Sequence, residues 1–241
     1  MLGLGISSSS AQYLSGEWSP SDDGNDLEAW YRNKVGITLQ GETTNVSQWA
    51  DQSGNDYHMV QTDTGEQPAY NAANGALTFD ASSDTQNLSF AAGASPANIE
   101  LDTSFVIGIK MHPSAVSTVV IGSNALTNEM FKIHSSGTIR LKNDGSGGAK
   151  DFTLDSGDTR DDAYYVIARD AGDDTTIYKD GVANPSSAVS VPGTFNIDAI
   201  GVRRTDTNPY EGTIQEIFIF KGNIDVNDLV RKSNEYLSNN Y

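Results

Sequence analysis

Short apolar runs recur along the chain from residue 27 onward, and turn-forming residues separate them. Gly, Asn, Asp and Ser stand between successive runs, which follow one another at about 8–12 residues. This spacing is typical of an all-β sandwich built from antiparallel strands. The predicted strands lie at residues 77–80, 87–90, 104–111, 118–121, 130–133, 138–141, 163–168, 175–179, 197–202 and 213–220.

The last of these runs shows the clearest alternation of apolar and polar residues. Side chains two residues apart in a strand point to the same face of the sheet. Residues 212–220 therefore predict one face formed by Ile214, Glu216, Phe218 and Phe220. Glu216 puts a carboxylate into an otherwise apolar face, where it needs a partner or an ion.

A single helix is predicted at the end of the chain. Asp225 is a suitable N-cap, and apolar residues follow it at helical spacing. The apolar side of this helix should pack on the sandwich. No repeat is visible, so residues 27–241 are expected to form one domain. The residues that follow helical spacing are Val226, Leu229, Val230, Ser233, Tyr236 and Leu237.

Residues 1–26 differ in composition from the rest and are predicted to form an N-terminal arm. Gly and Ser dominate this segment, and its isolated apolar residues bury too little surface to order it alone. They are spaced as contact points for another molecule. The predicted partner-binding residues are Leu2, Leu4, Ile6, Tyr13, Leu14 and Trp18.

The charge balance excludes nucleic acid as a partner. The chain has 15 basic and 32 acidic residues, a net charge of −17, and its longest basic cluster is Arg203-Arg204. It has no cysteine, and no apolar stretch approaches the ~20 residues of a membrane-spanning helix. The first residues lack a positive segment, so we expect a product made in the cytoplasm without a membrane partner.

Four segments in order resemble the laminin-G-like jelly roll of the concanavalin A-like lectin and glucanase superfamily. The resemblance implies a two-sheet antiparallel jelly-roll sandwich over residues 27–241. Within the third segment, Asp180-Gly181 also predicts a two-residue hairpin turn, since Gly accepts a positive φ. The segments are VSQWADQSGNDYH at 46–58, QPAY and GALTFD within 67–80, YYVIARD and TIYKDG within 164–181, and YEGTIQEIFIF at 210–220 with the helix after it.

Sequence patterns typical of catalytic sites are absent from the chain. The E-x-D-x-x-E pattern of the superfamily's glucanases is absent, and Asp151 and Asp155 would stand about 13 Å apart on a strand. No G-x-S-x-G motif occurs, and His58, His112 and His134 are scattered. We therefore expect a protein that is not an enzyme.

Calcium is the cofactor that the acidic turns favour. Ca²⁺ takes six to eight oxygen ligands, and the family resemblance brings Asp51, Asp80 and Glu216 into one neighbourhood. These three residues are the predicted ligands of a structural Ca²⁺. Alternatively, Asp51 caps its own turn, and Glu216 pairs with an arginine or faces solvent.

Three functions from different classes remain after this reading. The leading one is a virion accessory protein of a tailed phage, present in many copies or as a homo-oligomer on the head or tail. Short Ser-rich segments before such domains resemble those of phage virion proteins. The second is a lectin-like module with Trp30, Trp49 or Tyr57 as a sugar platform, although Trp49 is expected in the core. The third is a hydrolase with an unrecognised site.

Overall fold

The structure, a computed structural model, describes residues 17–241 except 82–84, 92–93, 95, 144–147, 156 and 204–205; for 185 and 186 it describes the backbone alone. Five predicted contact residues of the arm, Leu2, Leu4, Ile6, Tyr13 and Leu14, lie outside the described residues. Among the described helices, none is long and apolar enough to cross a membrane.

The described chain is almost entirely β-structure. A short 3-10 helix at Pro20–Asp23 precedes the first strand, and helix α1 spans Val226–Asn240. The first strands are β1 (Leu27–Tyr31), β2 (Ile37–Leu39), β3 (Val46–Trp49), β4 (Met59–Val60), β5 (Ala69–Asn71), β6 (Ala76–Phe79), β7 (Leu88–Phe90), β8 (Ile99–Leu101), β9 (Phe105–Pro113) and β10 (Thr118–Gly122). They are followed by β11 (Glu129–Ser135), β12 (Thr138–Lys142), β13 (Ala149–Thr153), β14 (Ala163–Arg169), β15 (Asp174–Lys179), β16 (Val182–Ser190), β17 (Phe195–Ile197), β18 (Ala199–Ile200) and β19 (Gly212–Lys221).

Two large antiparallel sheets form a sandwich. The first has the order β16-β15-β14-β9-β19-β6-β5, with β1 also paired to β19. The second has nine strands in the order β13-β12-β11-β10-β18-β7-β4-β3-β2, and β8 pairs with β17 in a small third sheet. This arrangement confirms the predicted antiparallel two-sheet sandwich with one C-terminal helix.

Two hydrophobic clusters hold these layers together. The larger fills the space between the sheets and includes Trp49, Phe131 and Tyr165, all fully buried. The smaller lies between the outer face of the first sheet and helix α1, where Phe218 and Phe220 meet Leu229 and Leu237. Helix α1 therefore covers the outer face of the first sheet. The N-cap is Asp225, as predicted, because its side chain accepts from the Asp228 backbone N–H.

Local pairing corrects two details of the predicted strands. The run 197–202 divides into β17 and β18, with Asp198 between them. A register shift between Ile214 and Glu216 shows a β-bulge in β19. The extra residue reverses the alternation, so Ile214 faces the inter-sheet core while Glu216 and Phe218 face helix α1. The prediction that Ile214 shares a face with the other three was wrong for this reason.

The hairpin turn at Asp180-Gly181 is confirmed. Lys179 pairs directly with Val182, and Asp180 and Gly181 have φ of 50° and 79°. Two successive positive φ values are those of a type I′ turn.

Candidate binding groove on the outer face of the second sheet

A row of polar and small side chains crosses the outer face of the second sheet. Gln48 of β3 pairs with Val60 of β4, and Val60 pairs with Ser89 of β7. Directly opposed residues of antiparallel strands lie on one face. The residues next to them in sequence, Trp49 and Met59, are fully buried in the core. Gln48, Val60 and Ser89 therefore point outward, and all three are half-buried.

Two adjoining cavities of about 250 and 370 Å³ follow this row. Phe90, Ala91 and Ala94 line both, so the cavities form one groove. Together they reach the size of sites for small ligands, which is about 300–1,000 Å³. The described side chains that line the groove include Gln48, Tyr57, His58, Val60, Ser89, Phe90, Asn124 and Asp198.

An aromatic pair lies where one end of the groove meets the edge of the core. Phe90 pairs with the buried Met59, and both Tyr57 and Phe90 pack against the inter-sheet cluster while remaining half-buried. The rings of Tyr57 and Phe90 stack, with centroids 5.5 Å apart and an angle of 20° between the planes. The Tyr57 hydroxyl donates to Glu28 Oε1 at 2.9 Å, which fixes the ring. Burial, with a further effect of the hydrogen bond to Glu28, raises the pKa of Tyr57 to about 12. The groove is thus bordered by the accessible parts of two uncharged aromatic rings that the core holds in one orientation.

The turn at residues 51–57 places this aromatic surface. The Asp51 carboxylate accepts from the backbone N–H groups of Ser53 at 2.9 Å, Tyr57 at 3.2 Å and Trp30 at 2.8 Å. It also accepts from the Ser53 hydroxyl at 2.6 Å. Asp and Asn side chains commonly stabilise turns in this way. Asp51 therefore closes the turn, which is one of the two roles that the sequence left open.

Two polar side chains in the groove have no partner in the described part of the chain. The Gln48 amide and the Ser89 hydroxyl make no hydrogen bond there, although both residues are half-buried. Neither side chain has a polar atom among the buried unpaired atoms of the described residues, so both reach solvent and are hydrated in the free protein. Gln48 and Ser89 are therefore available to a ligand in the groove, each as both donor and acceptor.

Asp198 supplies a fixed carboxylate at the other end of the groove. It lies between β17 and β18 and is 7% exposed. One oxygen accepts from the Asn124 backbone N–H, and the other accepts from the Ser123 hydroxyl at 2.9 Å. An ionised carboxylate has about four acceptor sites, so Asp198 can accept further hydrogen bonds from a ligand.

Glu216, another of the three predicted calcium ligands, lies beneath helix α1. It is 1% exposed and accepts from Trp30 Nε1 at 2.8 Å, the Tyr236 hydroxyl at 2.7 Å and the Asn33 backbone N–H at 3.3 Å. The Tyr241 hydroxyl also donates to it. These donors stabilise the carboxylate that the sequence analysis found unexplained on an apolar face.

The predicted calcium ligands do not form one donor set. Asp51 and Glu216 accept from opposite ends of Trp30, its backbone N–H and its indole N–H. Asp80 is exposed at the end of β6, where its backbone N–H donates to Gln86. Within the described residues, no three His, Asp or Glu side chains lie close enough together to hold a metal ion.

Calcium binding stays a prediction of the sequence. If Asp51, Asp80 and Glu216 hold a structural Ca²⁺, the ion stabilises the folded state and its removal lowers the melting temperature. Thermal melting with and without EDTA checks this, with an expected fall of several degrees. The same melting temperature in both conditions would remove calcium from the account.

The aromatic residues considered as sugar platforms lie in different environments. Trp49 is fully buried, as expected, and Trp30 is 4% exposed with its indole N–H bonded to Glu216. Of the three, Tyr57 alone lines the groove.

Trp18 packs on its own domain. Its ring contacts Phe220 and Tyr236, each at 6.0 Å between centroids, and its indole N–H donates to Asp23 at 2.7 Å. The described end of the arm is therefore seated against helix α1. Contact between Trp18 and a partner stays a prediction, as does the boundary of the arm at residue 26.

Sequence reasoning missed Gln48, Ser89, Phe90 and Asp198. A signal for the first two was present, since each stands next to an apolar residue that the alternation places in the core. The strands concerned are only two to four residues long, which is too short for periodicity to assign their faces.

Comparisons with known proteins agree with the fold. No family model matches the chain, and no curated protein matches it. Among solved structures, Trypanosoma rangeli sialidase is similar over 89% of this chain and 33% of its own, with 11% identity and a TM-score of 0.55. The likeness shows the fold alone.

Two botulinum neurotoxin structures are similar in the same way. In one, type C, cell entry depends on interaction with two ganglioside molecules; it covers 90% of this chain at 16% identity, with a TM-score of 0.53. The other is the binding domain of neurotoxin DC in complex with rat synaptotagmin II, at 88% coverage, 17% identity and a TM-score of 0.53. This chain spans 52% of each of them. All three neighbours support an all-β sandwich of the jelly-roll and lectin type.

Proposed function

We propose that this protein is a carbohydrate-binding module and that the groove on the second sheet is its binding site. The observation that carries the proposal is the pairing of the Tyr57–Phe90 aromatic surface with the unpaired Gln48 and Ser89 in one groove. Ligand sites combine an apolar or aromatic lining with a few polar groups that orient the ligand. A sugar ring has the matching features, an apolar face and hydroxyl groups at its edge.

A second cavity is less suited to a specific ligand. It measures about 350 Å³ and lies between Trp18 and helix α1. Both cations that line it are already engaged: Arg231 pairs with Asp228 and Glu235, and Lys232 pairs with Asp23. A ligand there would have to displace these ion pairs, whereas Gln48 and Ser89 have no side-chain partner to lose within the described residues.

The neighbours add support of a limited kind. The type C neurotoxin interacts with two ganglioside molecules, and this chain resembles 52% of its length. That the chain is not an enzyme is part of the proposal. The virion role predicted from the arm stays a prediction, since residues 1–16 lie outside the described part of the chain.

A glycan array followed by a single variant tests the proposal. We expect wild-type protein to bind a defined set of glycans, and Gln48→Ala to weaken that binding about two- to twelvefold, the effect of one lost hydrogen bond. Affinity is measured by isothermal titration calorimetry. Gln215→Ala is the matched control, because Gln215 lies on β19 of the first sheet and its amide donates to Asn74 O at 3.2 Å.

Two results would contradict the proposal. One is an array without reproducible binding of any glycan. The other is equal weakening by Gln48→Ala and Gln215→Ala, which would place the ligand elsewhere. Melting temperatures of both variants show whether a loss of binding reflects a loss of folded protein.

A further inference from the structure

We propose that the groove selects uncharged, hydroxyl-rich saccharides and discriminates against saccharides that carry a carboxylate or sulfate. This inference rests on the proposed function and adds the class of ligand. It follows from the charges that line the groove and from the positions of the cations on the same sheet.

The charged lining of the groove is acidic. Among the described residues that line it, none is Lys or Arg, whereas Asp56 and Asp198 both contribute carboxylates. Asp198 is nearly buried, so water screens its charge less than that of a surface carboxylate. An anionic group in the groove would face Asp198 with no cation to offset the repulsion.

The polar lining instead matches hydroxyl groups, which donate and accept at once. Gln48 and Ser89 can do both, and Asp198 accepts only. The Asp51 backbone N–H donates to His58 Nδ1 at 3.1 Å, which leaves Nε2 as the nitrogen that carries the proton in a neutral ring. His58 therefore offers a donor. Gln48, Ser89 and a neutral His58 pair with a hydroxyl without bringing a charge into the groove, and Asp198 accepts from a hydroxyl without charge repulsion.

Three cations on or beside the second sheet are paired with carboxylates. Lys132 and Arg203 contact Glu129 at 3.1 and 2.9 Å. Arg140 binds Asp151 with two hydrogen bonds, at 2.7 and 2.9 Å. To bind an anionic sugar, these three cations would have to leave carboxylates that they already contact. Two others, Lys142 of β12 and Lys150 of β13, have no ion pair among the described residues and lie on strands at the far edge of the sheet from β4 and β7.

The net charge of the whole chain also disfavours the binding of anionic saccharides. A net charge of −17 lowers the local concentration of anions around the protein, more strongly at low salt. Neutral saccharides are unaffected by this field.

Matched pairs of saccharides test the inference. The probes are tetrasaccharides of glucose, galactose and mannose, each compared with the same tetrasaccharide carrying a uronic acid in place of one hexose. Calorimetry at low salt should show binding of at least one neutral probe, with its acidic counterpart at least about tenfold weaker. Added salt should narrow this difference.

A charge-removing variant locates the effect. Asp198→Asn keeps the size of the side chain and removes its charge, so the acidic probe should gain affinity relative to the neutral one by several-fold. Asp155→Asn is the matched control, since it changes the net charge equally at an exposed position after β13 that does not line the groove. The control should leave the ratio of the affinity for the acidic probe to that for the neutral probe unchanged.

The outcomes separate the two proposals. Equal or tighter binding of the acidic probe overturns the selectivity and leaves the carbohydrate-binding function standing. If Asp198→Asn and Asp155→Asn change the ratio of acidic to neutral affinity equally, the selectivity comes from the net charge of the chain, and the role of the groove is overturned. Absence of binding by every probe, neutral and acidic, overturns both proposals together.

Discussion

Replacing Arg169 by Lys should destabilise the protein by about 3–5 kcal/mol, because it leaves several buried carbonyl groups without a donor. Arg169 is fully buried at the end of β14. Its guanidinium donates to the carbonyl oxygens of Thr103 at 2.8 Å and Gly193 at 2.6 Å. Further bonds reach Leu101 O at 3.0 Å and Val191 O at 3.2 Å.

Ring contacts add to these bonds. The guanidinium carbon lies 4.8 Å from the centroid of Phe105 and 5.9 Å from that of Phe195. Arg169 therefore joins the loops before β9 and before β17 to the first sheet. An ammonium group has three donors on a flexible stem and cannot reach four carbonyls in a planar fork.

Urea unfolding measures the effect. Arg231→Lys is the control, because Arg231 is exposed on helix α1 and its surface ion pairs contribute about 0.2–1 kcal/mol each. We expect the control to stay within about 1 kcal/mol of wild type. If the free energy of unfolding of Arg169→Lys also stayed within about 1 kcal/mol of wild type, Arg169 would not have the structural role described.

Replacing Glu216 by Ala should destabilise the protein by about 1–3 kcal/mol, because it leaves the buried indole N–H of Trp30 without an acceptor beneath helix α1. The donors to Glu216 are Trp30 Nε1 and the hydroxyls of Tyr236 and Tyr241, with the Asn33 backbone N–H as a fourth. Burial raises the pKa of Tyr236 and Tyr241, and the Glu216 charge raises it further. Both tyrosines therefore stay protonated as donors at neutral pH.

Helix α1 should respond first, since Glu216 binds two tyrosines at its end. Amide hydrogen exchange within residues 226–240 is expected to accelerate in Glu216→Ala even where the sandwich remains folded. Glu235→Ala is the matched control, because Glu235 is exposed on the same helix and, within the described residues, forms an ion pair with Arg231 alone. Unchanged exchange and unchanged urea unfolding in Glu216→Ala would contradict the account.

Much of the fold could be predicted from residue patterns. The predicted strand at 104–111 corresponds to β9, and the helical spacing after Asp225 corresponds to helix α1. Both were predictable because a long periodic segment strongly favours one type of secondary structure. Ile214 was assigned to the wrong face because a β-bulge adds one residue to the pairing, and the sequence carries no mark of it.

The candidate site was less accessible to sequence reasoning. Tyr57 was named, but its partner Phe90 is 33 residues away and meets it only through the pairing of β4 with β7. Asp198 joins the groove because the sheet places β18 next to β7. Conversely, the carboxylates of Asp51 and Glu216, predicted as calcium ligands, accept hydrogen bonds from backbone N–H and tyrosine O–H groups. The proximity of the tyrosine to Glu216 depends on the tertiary structure.

Chemical-shift mapping by amide nuclear magnetic resonance tests the central claim, which is that the outer groove of the second sheet binds a saccharide. Titration with a neutral tetrasaccharide selected on the array should shift the amides of residues 48, 57–60, 89–91 and 124–125 and leave those of helix α1 unchanged. Shifts confined to helix α1 or to the first sheet, with none along the groove, would contradict it.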